Sequence, residues 1–202
     1  MTDLYFSPLS QHSRRVVSLL EEVGIPYDGK FIDMMKGEFL SEAFLAINPN
    51  HQVPTLIDGD ITLHESNAIL RYLCSKHGLT DWYPTDLAHR AQVEQWLDWT
   101  QCRMSPAVVD IVFNTVFLGE KGDKKAIERG HKSLEEISQI LNEALSGKEF
   151  ITGNKPTIAD LALASNVFHL GLAKAIPNHT HIQAWFDRMS KLKGYQKSLP
   201  SM

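Results

Sequence analysis

Apolar and polar positions follow two textures along this chain. In the first part, short extended runs alternate with helical patterns. Leu4-Tyr5-Phe6 is an apolar run stopped by Ser7-Pro8, and Val16, Val17, Leu19, Leu20 and Val23 then recur at helical spacing until Gly24 ends them. After Ile25-Pro26, Tyr27 to Asp33 reads as a second strand, and the helix between the two strands predicts a right-handed parallel β-α-β unit. Lys36 to Ile47 is a weaker helical stretch. Asn48-Pro49-Asn50 is a turn, and Val53–Ile57 and Asp60–Leu63 read as an antiparallel pair joined at Asp58-Gly59. Ser66 to Lys76 follows as a helix, with Ile69, Leu70, Tyr72 and Leu73 as its apolar stripe and Gly78 as its stop.

From Pro84 the texture changes and strand patterns disappear. Residues 86–118 read as one long helix that Pro106 should kink. Ile127, Leu134, Ile137, Leu141 and Leu145 mark another helix, ended by Gly147, and 157–175 and 180–193 mark two more. The expected architecture is therefore a β-α-β-α-β-β-α domain over 1–80 and an all-helical domain over 87–202.

Composition narrows the function. The 202 residues are 43% hydrophobic and 22% charged, as in an ordinary globular chain with a sizeable core. A net charge of -4 and a pI near 6.1 give no general electrostatic attraction to nucleic acid or anionic membrane. No apolar run is long enough to span a bilayer, and MTDLYFSPLS lacks the features of a signal peptide, so a cytoplasmic location is expected. Cys74 and Cys102 form no C-x-x-C and have no metal-ligand spacing, so neither disulfide nor metal chemistry is expected.

Two turns carry polar groups placed for specific work. Thr157-Ile158-Ala159-Asp160 has capping-box spacing, so Asp160 is read as a helix cap worth about 0.5–2 kcal/mol rather than as a catalytic acid. Ser10 lies between the first strand and the first helix, where backbone N–H groups and the helix dipole favour an anion; taken alone, it is a cap.

The wider pattern is more specific. Ser7-Pro8-Leu9-Ser10 leads to Arg15-Val16. Lys36-Gly37-Glu38, Phe44-Leu45 and Ile47-Asn48-Pro49 follow, then His51-Gln52-Val53-Pro54-Thr55-Leu56, Asp58-Gly59-Asp60 with Leu63, Glu65-Ser66 with Ala68-Ile69 and Tyr72-Leu73, and Gly153 with Thr157 to Asp160. In this order the set resembles the cytosolic glutathione transferases of the serine type, nearest the phi, theta and delta classes and less near zeta. The resemblance covers nearly the whole chain. It implies a thioredoxin-like N-terminal domain, an all-helical C-terminal domain, glutathione as co-substrate without a metal, and a homodimer.

It also implies roles for residues. Ser10 would donate a hydrogen bond to the glutathione sulfur. Lowering a thiol pKa of about 8.5 by about two units takes about 2.7 kcal/mol, and one hydroxyl donating to a charged acceptor supplies about 1.5–3 kcal/mol. Ser13, one helical turn on, is its understudy. Tyr5, which would be the candidate in a tyrosine-type enzyme, reads as a strand residue. Val53, before a family-like cis Pro54, would pair its backbone with the cysteinyl unit. Glu65 and a helix-capping Ser66 would take the ammonium and carboxylate of the γ-glutamyl end. Gln52, His51 and Lys36, in that order, are candidates for the remaining polar contacts. The second substrate would meet apolar side chains near the first turn and on the long helix, with Leu9, Ser13, Arg103 and Ala107 as candidates.

Ser10-Gln11-His12-Ser13 stands where related folds carry a redox Cys-x-x-C, so chemistry that needs a protein thiolate is excluded. Two other readings stay open: a glutathione-dependent isomerase of zeta type, and a noncatalytic glutathione-binding or scaffold module.

Overall fold

Four strands form the sheet of the first unit, in the order β2-β1-β3-β4, in a computed structural model that describes residues 2–200. Strand β1 (Asp3–Phe6) pairs in parallel with β2 (Asp28–Phe31) across helix α1 (Gln11–Val23), as the β-α-β pattern predicts. Strands β3 (Thr55–Asp58) and β4 (Ile61–His64) form the antiparallel hairpin, and Gly59 (φ 61) supplies the left-handed turn residue. Helix α3 (Ser66–His77) follows and stops at Gly78. This four-stranded mixed sheet with its helices is the thioredoxin-like arrangement. The stretch 36–47 is not one helix: a turn at Glu38–Leu40 is followed by the short α2 (Glu42–Leu45), because the Ser41 hydroxyl accepts the Phe44 N–H and restarts the helix.

The core of this unit comes from the α1 and α3 stripes, with Leu4, Val16, Leu19, Leu20, Leu56 and Leu70 buried. The compact division of the chain is Met1–Leu79 with Lys191–Met202, and Thr80–Ser190. The C-terminal segment, expected with the helical domain, thus joins the N-terminal unit. A short helix α9 (Lys193–Lys197) lies on α1. Gly194 donates to Glu22 Oε2 (2.5 Å), Ser18 donates to Ser198 Oγ (2.9 Å), and Lys197 pairs with Glu21 (2.6 Å). A Cβ on Gly194 would come within 2.1 Å of the Ser18 carbonyl oxygen, so only glycine permits this approach.

The second unit is helical throughout. The expected long helix is α4 (Leu87–Trp99) and α5 (Ser105–Val112), joined through a wide π turn at Thr100–Met104, with a second wide turn at Phe113–Phe117. Pro106, in the first turn of α5, lacks the N–H that a continuous helix would need there; Ser105 bonds back five residues to Thr100 instead. Helices α6 (Lys124–Ala144), α7 (Ile158–Leu172) and α8 (Thr180–Ser190) complete it. Helix α7 is buried on nearly every side, which its near-continuous apolar sequence dictates. Wholly buried Asp160 anchors it by accepting from the backbone N–H groups of Ile151 and Thr157, the Thr157 hydroxyl and the Trp185 indole, at 2.9, 2.9, 3.1 and 2.9 Å.

Candidate functional site

The ladder registers place most of the predicted residues at one end of the sheet. Phe6 pairs with Phe31, Tyr5 with Thr55, and Thr55 with His64. The C-terminal ends of β1, β2 and β4 therefore meet the N-terminal end of β3. Ser10 follows β1, Lys36 follows β2, Val53-Pro54 precede β3, and Glu65-Ser66 follow β4. Helices α1 and α3 both begin at this end, each offering the unpaired N–H groups and partial positive charge of a helix N-terminus.

Ser10 is buried at the N-cap of α1. Its Oγ accepts the Ser13 N–H at 3.2 Å and donates to the Val53 carbonyl oxygen in a long bond of 3.4 Å. The cap uses one lone pair and leaves the hydroxyl hydrogen able to turn to another acceptor. Accepting a backbone N–H also polarises the hydroxyl and strengthens it as a donor. The Val53-Pro54 bond is cis. The Val53 side chain is buried with Ile32 and Phe44, and Tyr5 packs against this small cluster with its ring 6.0 Å from that of Phe44. Tyr5 is thus a strand residue with a packing role. Buried Asn48 shapes the loop before Val53: it donates to the Gln52 carbonyl oxygen and the Thr55 hydroxyl, both at 2.9 Å, and accepts from both Asn50 nitrogens. The side chains of His51 and Gln52 are exposed on this loop.

Three non-glycine residues among those described have positive φ, and two of them, His51 (φ 58) and Glu65 (φ 68), are predicted site residues. Held strain of this kind concentrates where a binding surface needs a particular backbone shape. Glu65 is exposed and occupies the N-cap position of α3 without a side-chain cap bond. Ser66 is consequently the first helical residue and not the cap. The helix begins at Ser66 as the pattern predicts, but the cap position falls to Glu65, whose positive φ the hydrophobic periodicity does not encode. Lys36 is exposed and paired with Asp33 at 3.2 Å.

Beneath these groups lie two buried cations. Burial lowers the Arg14 guanidinium to about 9, and the neighbouring Tyr195 opposes this. Burial likewise lowers Arg15 to about 9; the Arg14 charge adds to this and the Glu65 carboxylate opposes it. Both remain protonated at neutral pH. Arg15 donates to Asn67 Oδ1 at 2.9 Å and so joins α1 to the first turn of α3. The sequence pattern gave no warning of this tie, because an arginine five residues into an amphipathic helix reads as a surface charge.

Several second-substrate candidates fare differently. Ser13 is wholly buried, and its hydroxyl accepts the Ser7 N–H at 3.3 Å, so it holds the turn and offers no surface to a substrate. Ala107 is 2% exposed. It belongs to the floor of a cavity of about 240 Å³ whose rim charges satisfy one another, Arg103 with Glu136 at 3.2 Å and Arg129 with Asp110 at 2.7 Å. Neither Ala107 nor Arg103 presents the expected apolar contact. The exposed apolar stripe of that helical stretch is Val109, Phe113, Val116 and Phe117, with the two phenyl rings 6.3 Å apart. Spacing alone could not separate it from the core stripe. Leu9, in the turn after β1, is half-buried.

Of the cysteines, Cys74 is buried and its thiol is pushed up to about 12 by burial, and Cys102 is exposed. Among the described residues no group of three or more His, Cys, Asp and Glu side chains is arranged to hold a metal ion, and no helix is long and apolar enough to cross a membrane.

Comparison with known proteins agrees with the fold. The family model described as glutathione S-transferase, N-terminal domain, matches residues 4–81, and that for the C-terminal domain matches residues 104–193. Glutathione S-transferase F10 of Arabidopsis thaliana is 32% identical over 201 residues, covering 95% of this chain and 94% of that protein. Human glutathione S-transferase T1-1 superposes with a TM-score of 0.91 at 30% identity, covering 98% of this chain and 87% of that one. A glutathione S-transferase I bound with lactoylglutathione superposes with a TM-score of 0.85 at 27% identity, covering 98% and 97%.

Proposed function

Because this chain belongs to the glutathione S-transferase family, we propose that it joins the thiolate of glutathione to a hydrophobic electrophile, with the Ser10 hydroxyl stabilising the thiolate. The observation that carries this reading is the Ser10 to Val53 contact: a hydroxyl at a helix N-terminus lies 3.4 Å from the backbone carbonyl oxygen that a bound cysteinyl unit would use as an acceptor. Glutathione entering along Val53 brings its sulfur to Ser10, whose hydrogen turns from the carbonyl to the thiolate. The N-terminus of α1 favours the same anion. The thiol proton passes to solvent and the thiolate electron pair forms the C–S bond; the displaced electrons leave with a halide, stay on the opened epoxide oxygen or pass into an enal as an enolate, the last two then taking a proton from water.

Glu65 takes the γ-glutamyl ammonium, and Ser66 with the first amides of α3 takes its carboxylate. Gln52 and His51 line the peptide, while Lys36 reaches the glycyl carboxylate only by leaving Asp33. For the acceptor, Leu9, in the turn just before Ser10, offers the apolar surface by which this class of ligand is largely held. We read the protein as a cytoplasmic homodimer that removes reactive electrophiles.

Steady-state conjugation across a panel of aryl halides, epoxides and enals at fixed glutathione tests the reading, together with ultraviolet titration of bound thiol. Activity with a bound-thiol pKa well below about 8.5 is expected. Tight glutathione binding without any turnover, or an unshifted thiol, would overturn it.

A further inference from the structure

The γ-glutamyl subsite stands on a stretch of backbone that does not hold its own shape. Glu65 sits at φ 68 and ψ 107 with no side-chain cap bond, a conformation that persists in a non-glycine residue only where its surroundings impose it. On the buried side, those surroundings include Arg15. Its side chain is wholly enclosed; Nη1 donates to Asn67 Oδ1 at 2.9 Å, and neither Nε nor Nη2 has a hydrogen-bond partner. Asn67 is the second residue of α3, two positions after Glu65. A buried cation bonded to one neutral oxygen is a costly arrangement that an apolar side chain of similar size would avoid. Its geometry is informative: the one bond it makes goes to the first turn of α3, and the carboxylate whose charge favours it is that of Glu65.

We infer that Arg15 is the positioning residue of the γ-glutamyl subsite, fixing the first turn of α3 through Asn67 Oδ1. The inference rests on the glutathione reading above and extends it to a residue that touches no substrate. Arg15 holds Glu65 and the first amides of α3 where the ammonium and carboxylate of the ligand converge. Its influence falls on the γ-glutamyl end, and the sulfur stays under the control of Ser10.

The test uses the full chain and titration calorimetry with glutathione and with S-methylglutathione. Wild-type binding is measured first: a protein that binds neither ligand ends the glutathione reading, and this inference with it. Given binding, Arg15→Met should raise Kd about tenfold for both ligands, raise KM more than it lowers kcat, and leave the pKa of the bound thiol in place. Arg15→Lys, which keeps the charge, should recover part of the affinity. On a Glu65→Gln background, Arg15→Met should add less than about a twofold loss, since both act through one group. Should Arg15→Met fail to fold, Asn67→Leu carries the same expectations. A folded variant with wild-type Kd, fully additive losses with Glu65→Gln, or a moved thiol pKa at constant Kd would overturn the assignment.

Discussion

At the start of α7, the Asp160 carboxylate receives four hydrogen bonds from inside the protein and has no exposed surface. At the start of α1, the Ser10 hydroxyl accepts one good bond from the Ser13 N–H, and its own hydrogen is committed only to a 3.4 Å contact. Both are small polar groups at helix N-termini, and both looked like caps in the sequence. The difference lies in how much bonding capacity is left over. Every donor around Asp160 is accounted for, so a ligand has nothing to gain there. Ser10 keeps a donor that a better acceptor can claim, and it stands at the sheet end where two helix N-termini favour an anion.

The largest expected effect lies on the closed side of this comparison. Asp160→Ala would leave the Ile151 and Thr157 N–H groups, the Thr157 hydroxyl and the Trp185 indole buried without their acceptor. We expect a loss of about 3–5 kcal/mol, beyond the 0.5–2 kcal/mol of a simple cap, because the group serves as a junction of three chain segments. Burial pushes the Asp160 carboxyl up, and the four donors pull it back towards the charged form. Denaturant melts measure the loss, with kinetics on the folded fraction as control. A normally stable variant with abolished turnover would reverse the assignment.

On the open side, Ser10→Ala should lower turnover by roughly 10–1000-fold with little change in glutathione affinity, since the lost bond acts mainly on the ionised sulfur. Because the same hydroxyl caps α1, a stability loss of about 1 kcal/mol should accompany it. The melts register the cap and the bound-thiol titration registers the donor. If the thiol pKa stays at its wild-type value, Ser10 belongs with Asp160 on the structural side.

Why the sequence exposed one part of this arrangement and hid another follows from what periodicity encodes. The β1-α1-β2 unit and the hairpin at Gly59 were legible because strand runs, helix stripes and turn residues each have their own spacing. Ser10, Val53 and Glu65 were legible as a set, but their meeting at one sheet end depends on ladder registers that no local pattern states. The cap of α3 was assigned to Ser66 rather than Glu65 because a positive φ at Glu65 leaves no mark in residue type. Helix α9 escaped notice because its docking rests on Gly194 admitting the α1 backbone and on Ser198 and Glu22, with little of an apolar stripe. Ala107 and Phe113 show the same limit in the second unit, where helical spacing marks apolar positions but does not say which face turns inward.

A smaller effect is expected at the γ-glutamyl end. Glu65→Gln and Ser66→Ala should weaken glutathione binding about 10–100-fold while slowing the bound complex less, because contacts far from the sulfur are nearly equal in ground and transition states. Glutathione and S-methylglutathione should lose affinity equally in titration calorimetry, since they differ only at sulfur. A loss confined to glutathione would place these residues beside the thiol and end the proposed orientation of the ligand.

The smallest effect sharpens the comparison most, because it concerns two hydroxyls on the same turn. Ser13 lies three residues beyond Ser10, yet its side chain is wholly buried and its Oγ accepts the Ser7 N–H at 3.3 Å. Like Asp160 it closes a bond inside the protein and has no exposed surface, so whatever donor capacity its hydroxyl retains is not presented outward. Ser13→Ala should therefore cost about 0.5–1.5 kcal/mol of stability, the price of one unmet backbone donor in a turn that can partly relax. Turnover should fall by less than about tenfold, through slight displacement of Ser10 and with no loss of a donor to sulfur. Melts and bound-thiol titration on the same preparation separate the two effects. A thiol pKa that rises in Ser13→Ala as far as in Ser10→Ala, with stability unchanged, would mean that the turn presents its other hydroxyl to the sulfur. Burial and bond closure would then be the wrong guide to which of these side chains does the chemistry.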